Sequence, residues 1–148
     1  MPLLVGNRMS KPPLAIRADA DYRTAFDLMR KRRVHHVPVV NARGVIVGML
    51  AERDLLLAVT HYQNAPVEAQ EVMHRPVVTV NEKTPLAKAA RTMLARKIGG
   101  LPVVDAKRRL LGMITETDVL RELVGLLGKG GANPRKKIAR KTTTRGAG

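Results

Sequence analysis

Leu101–Leu120, LPVVDAKRRLLGMITETDVL, reads as a buried strand, a polar turn, a second strand carrying Gly112, and a helix opening at Thr115. Short apolar runs rich in Val, Ile and Leu, separated by charged turn residues, carry the strand signal. The same grammar stands 64 residues earlier in VPVVNARGVIVGMLAERDLL, Val37–Leu56. Aligned at that offset without a gap, Met9–Leu56 and Met73–Leu120 share 14 identical pairs in 48, including Pro12/Pro76, Met29/Met93, Pro38/Pro102, Gly48/Gly112, Glu52/Glu116 and Asp54/Asp118. The chain is therefore two copies of one unit.

Duplication solves a size problem. One copy alone, near 60 residues, buries too little surface for comfortable stability, and two copies sharing a core overcome this. The chain has 148 residues, 45% of them apolar, yet only one Phe, two Tyr and no Trp, so the core must be aliphatic. Such a chain offers few platforms for stacking exposed bases. The absence of cysteine excludes disulfides, thiol catalysis and zinc–thiolate sites. No apolar run approaches the roughly 20 residues of a membrane span. No secretory leader is legible in MPLLVGNRMSK, and a soluble, cytoplasmic protein with no membrane partner is expected.

Net charge is +15, and residues 129–148 hold seven Lys and Arg and no acid. The rest of the chain still carries +8. Polyanions are the favoured partners of such a surface.

Each copy reads as strand–helix–strand–strand–helix. In the first, Pro13–Ile16 is a short strand, and Asp19 or Asp21 offers an N-cap for a helix running to Arg32. Val37–Val40 and Val45–Leu50 form a hairpin around Asn41–Gly44, and a helix follows from Glu52 to Tyr62. In the second, Val77–Val80 is the strand, and Thr84-Pro85 gives an N-cap with proline opening a helix over Leu86–Lys97. Leu101–Val104, Leu110–Thr115 and a helix to Leu127 complete it. The expected divisions are a first repeat with its lead-in over 1–62, a linker over 63–70, a second repeat over 71–127, and a flexible basic tail over 128–148.

Two copies that each carry PVV[ND] and then G-M-[LI]-x-E-x-D resemble a tandem pair of CBS domains, over roughly Met9 to Leu127. VMHRPVVTV, TPLAKAARTML, GGLPVVD and GMITETDVL follow the family pattern in order. The resemblance implies an α+β fold of two β-α-β-β-α repeats packed sheet to sheet. It further implies that modules pair into homodimers and that the seam between repeats holds an adenosine-containing ligand, such as AMP, ADP, ATP or S-adenosylmethionine. The ligand is regulatory rather than a cofactor, and its occupancy controls an effector, here expected to be a separate chain.

Thr115 and Asp118 lead the candidate ligand residues. The T-x-x-D spacing places a hydroxyl at a helix start and a carboxylate one turn in, where it can accept from both hydroxyls of a ribose. The same spacing is a capping box, and on spacing alone that explanation stays open. The resemblance assigns the base to main chain and aliphatic side chains at Ile98, Gly99, Gly100, Met73 and Val78. Gly99-Gly100 leaves room for a flat ring, although a turn needing positive φ at Gly100 explains the pair equally well. Arg53, by family geometry, and Arg121 are candidates for phosphates, with solvated arginine as the alternative for each.

The equivalent first-copy positions are Met9, Leu14, Val34, His35, His36 and Asp54, a weaker site because Ala51 replaces Thr115. With no hydroxyl at Ala51 to complete a reciprocal cap, a separate use for the Asp54 carboxylate is expected. His35 and His36 alternate across a strand and make a poor chelate, so no metal site is expected. No nucleophile and base stand together, and no enzyme is expected. A competing role is nucleic-acid binding through the basic tail, 129–148, and the Arg30–Arg33 cluster, which also fits simple dipole compensation at a helix C-terminus.

Overall fold

A computed structural model describes residues 2–63 and 65–129. The expected basic tail lies outside the described residues from position 130 onward. The chain divides into two compact units, Met1–Glu116 and Thr117–Gly148.

Within the first unit, β1 (Ile16–Arg17), α1 (Tyr22–Arg32), β2 (His36–Val40), β3 (Ile46–Ala51) and α2 (Glu52–Tyr62) make the first repeat. The segment between repeats carries α3 (Ala69–Val72), a four-residue helix inside the stretch read as linker. The second repeat has α4 (Leu86–Arg96), β4 (Gly100–Val104) and β5 (Leu110–Thr115). The last helix, α5, runs from Glu116 to Lys129 and lies almost wholly in the second unit.

The two hairpins are copies down to their register. His36 opposes Ala51 and Gly100 opposes Thr115, with a register shift between Val39 and Val40 in one and Val103 and Val104 in the other. Alternating burial follows from the pleat: Val37, Val39 and Leu50 are fully buried in the first, and Leu101, Val103 and Ile114 in the second. The first strand of each repeat is shorter than expected. β1 is two residues, parallel to Val39–Val40, and its second-repeat counterpart is a single bridge from Val80 to Val103. Pro12, Pro13 and Pro76 have no N–H to give a ladder, so pairing waits until they are passed.

Asp21, not Asp19, caps α1: its carboxylate accepts the Arg23 N–H at 2.8 Å. Thr84 does not cap α4 as expected, because its hydroxyl accepts the Asn81 N–H at 3.1 Å and closes a turn instead. Both α1 and α4 end on a left-handed residue, Arg33 at φ 55° and Lys97 at φ 56°. That position falls on Lys97 rather than on Gly100, so the pair of glycines is not explained by the turn.

The repeats meet through exchanged lead-ins. Ser10, ahead of the first repeat, pairs with Met113 on β5 at 2.8 and 3.2 Å. His74, ahead of the second, pairs with Met49 on β3 at 2.9 and 3.0 Å. The two turns also bond each other, Ile46 N–H to Arg108 and Leu110 N–H to Gly44. Ile46, Met49 and Val104 are buried there, with Val77, Leu110 and Met113 packed around them. A larger aliphatic core, centred on Val37, Val39, Leu50 and Leu55, fills the first repeat, with Tyr22 as its one fully buried aromatic.

Candidate functional site

The second-repeat candidates gather at one end of the β4–β5 hairpin. Gly100 lies opposite Thr115, and the Gly99 carbonyl accepts the Glu116 N–H at 3.0 Å. A β-carbon on Gly100 would stand 3.3 Å from both the Met113 methyl and the Thr115 methyl, and one on Gly99 would stand 3.1 Å from the Glu116 carboxylate. Neither glycine could take a side chain without moving a neighbour, which is the close-approach geometry expected of them. Ile98 is half-buried beside them.

Met9 reaches this same hairpin, its methyl 3.4 Å from where a β-carbon of Gly112 would be. Met73 instead packs on Gly48 of the first hairpin. The two lead-in methionines are thus exchanged relative to the grouping by repeat made from sequence. The cause is the chain crossing at Ser10 and His74, which no within-repeat reading contains. Val78 lines a shallow hollow of about 680 Å³, with Thr79, Asn81, Lys83, Lys88 and Asp105 among its walls. Nothing in the motifs pointed to that hollow.

Asp118 and Arg121 lie on α5. Asp118 is 6% exposed, the one buried charged residue among those described, and Arg121 is exposed.

Around the first hairpin the carboxylate of Asp54 accepts the Ala51 N–H at 3.0 Å, the backward half of a cap that needs no hydroxyl at position 51. The separate use expected for Asp54 is therefore joined by a capping one. The same oxygen lies 3.0 Å from Nδ1 of His74. His35, facing away from His36 as the strand alternation requires, pairs with Glu52 at 2.7 Å. Lost hydration first, then the nearby rings of His35 and His74 and the Arg53 guanidinium, hold the His36 imidazole below its ordinary pKa; Asp54 opposes them. Arg53 thus acts on His36 of its own repeat. Leu14 and Val34 are half-buried against the first core. Val34 and His35 also edge a hollow of about 260 Å³ with Phe26, Arg30, Arg33 and Glu52. Among the described residues no group of three or more His, Asp or Glu has the geometry for a metal ion. No described helix is long and apolar enough to cross a membrane.

A duplicated hairpin-and-helix unit with exchanged lead-ins defines a tandem α+β module. Two stretches, residues 5–61 and 69–125, match the CBS domain, and the chain belongs to that family as a tandem CBS pair. It is 32% identical to a CBS domain-containing protein of Dictyostelium discoideum, over 86% of this chain and 95% of the relative. Several other curated relatives carry enzyme names, and the chain spans only about a quarter of their length. Among solved structures, it is similar to the CBS domain pair of protein MJ0100 in complex with 5'-methylthioadenosine and S-adenosyl-L-methionine. That likeness has TM-score 0.75 and 32% identity, over 84% of this chain and 98% of that one. It is also similar to CBSX2 in complex with AMP, at TM-score 0.75 and 26% identity, over 83% and 97% of the two chains.

Proposed function

We propose that this chain is a regulatory module that senses an adenosine-containing molecule, AMP, ADP, ATP or S-adenosylmethionine, and controls a separate effector protein. The observation that carries the reading is its likeness, over more than four fifths of its length, to CBS pairs solved with adenosine compounds. Gly99 and Gly100 support it, since both are kept free of side chains at the end of the hairpin opposite Thr115. In this reading the base lies on the main chain at Ile98–Gly100, and the T-x-x-D carboxylate of Asp118 accepts the ribose hydroxyls. The module binds and does no chemistry of its own.

Homodimer formation belongs to the same proposal. On α2, Leu56, Leu57 and Val59 are exposed, and on α5 so are Leu120, Leu123, Val124 and Leu127. Apolar area of this extent on a helix favours a protein partner over water.

The test is thermal melting with each of the four compounds. A ligand at 100 times its Kd adds about 2.7 kcal/mol of stability. A melt unmoved by all four, or Asp118→Ala binding as tightly as wild type, would sink the proposal. Light scattering reads the dimer.

A further inference from the structure

The carboxylate that repeats Asp118 in the first half is already occupied. Oδ2 of Asp54 serves the Ala51 N–H and the His74 ring, both at 3.0 Å. His74 does not sit there by chance of rotamer alone, because its main chain is fixed to Met49 by two hydrogen bonds. Ser10, its counterpart in the other lead-in, has the same main-chain pairing but no imidazole. A ribose approaching Asp54 meets an oxygen whose acceptor directions are used, in competition with a charge-assisted partner.

The surroundings suit a different ligand group. His36 and Arg53 come from β2 and α2, His74 from the second lead-in, and His35 stands on Glu52. The opposing acids are Asp54 and Glu52. On the α3 side, Glu71 is turned back onto the Glu68 N–H at 2.9 Å, and the residue after His74 is another cation, Arg75. With the three imidazoles neutral, the set formed by Arg53, Asp54, Glu52 and the histidines is net negative. With all three protonated it is net positive by two charges. His35 and His74 keep 77% and 55% of their side-chain surface in solvent, so both proton and ligand can reach them. Imidazole is the side chain that makes such a reversal within the physiological range.

We propose that the site around Asp54 takes the phosphate end of a ligand rather than a ribose, and that protonation at His74 and His36 admits it. This inference rests on reading the paired repeats as ligand sites, and it assigns the two halves different chemistry: sugar in the second, anion in the first. Proton uptake accompanies binding, so affinity falls as pH rises.

Calorimetric titration with pyrophosphate and with inorganic sulfate, at about pH 6 and about pH 8 and fixed ionic strength, tests it; sulfate keeps one charge state across that interval. Wild type should bind both anions at least about tenfold tighter at the lower pH, the effect of taking up one proton or more. His74→Gln and His36→Gln should each reduce that ratio to about threefold or less. The ring resonances of His74 and His36 should shift on adding sulfate to wild type, a readout independent of how the variants fold. Adenosine, which has no phosphate, should bind His74→Gln as it binds wild type. Absence of anion binding at the lower pH, a ratio unchanged in both variants, or ring resonances that do not move would each overturn the proposal. Adenosine compounds failing at every pH while the anion ratio persists would instead overturn the nucleotide-sensing reading and leave this one standing.

Discussion

Gly48 lies against Met73 so closely that a β-carbon at position 48 would overlap the thioether, and Gly112 stands in the same relation to the Ser10 carbonyl. These are matched positions of the duplication, 64 residues apart, and each is the point where one repeat's lead-in crosses onto the other repeat's hairpin. Glycine is required there for contact, not for dihedral freedom.

The obstacle differs between the two, and so does the expected cost of alanine. Met73 is an unbranched side chain that can rotate away. The Ser10 carbonyl is main chain, and moving it strains the two hydrogen bonds to Met113. Gly112→Ala should cost about 3 kcal/mol and Gly48→Ala about 1 kcal/mol, read as the shift in urea midpoint at constant slope. Equal losses would show that the second lead-in is held as rigidly as the first.

Asp21 gives a prediction in acid. Hydrogen bonds from the Arg23 side chain and main chain hold its carboxyl below the ordinary 3.8. A depressed carboxyl contributes stability that is present above the unfolded value and lost as pH falls through the folded one. Asp21→Ala should therefore cost about 1 kcal/mol near neutrality, as loss of a helix cap does. The gap between variant and wild type should close below about pH 4. A gap that persists in acid would mean packing, and not the charged cap, sets the cost.

His36 works in the next pH range up. Its imidazole is held below 6.5, chiefly by lost hydration. The unfolded chain then binds the proton more readily, so stability is full above that value and declines as pH falls from it toward the folded pKa. His36→Gln should remove this part of the decline, measured as melting temperature against pH between the His and carboxylate ranges. A slope identical to wild type would place the titrating group elsewhere.

Much of the fold was legible because the duplication and the strand pattern state the same thing twice. The bounds of α2 and β5 and the Asp21 cap follow from local chemistry that no tertiary contact overrides. What escaped was long-range or competitive. The crossing at Ser10 and His74 joins residues far apart in sequence, so Met73 could not be placed on Gly48 from its own repeat. Thr84 had two turns to serve, and the Asn81 turn won over the helix. Asp54 looked uncapping only because the missing hydroxyl at Ala51 drew attention from the main-chain N–H, which needs a partner whatever the side chain. A histidine one place beyond a matched methionine gave no sign of its partner, since ion pairs between lead-in and helix leave no spacing rule.

Lys97 carries the last prediction. It closes α4 in the left-handed region at φ 56°, with its N–H on the Met93 carbonyl, as Arg33 does for α1 at φ 55°. An L side chain in that conformation costs roughly 1–2 kcal/mol, which glycine does not bear. Glycine also enlarges the unfolded ensemble, which returns part of the gain. Lys97→Gly should thus stabilise the chain by about 0.5 kcal/mol net. Lys97→Ala, which keeps the strain and removes only an exposed charge, should stay within about 0.5 kcal/mol of wild type and never exceed it. Should alanine stabilise as much as glycine, the relief would come from removing a cation beside Arg96 rather than from the backbone, and the assignment of strain to Lys97 would be wrong.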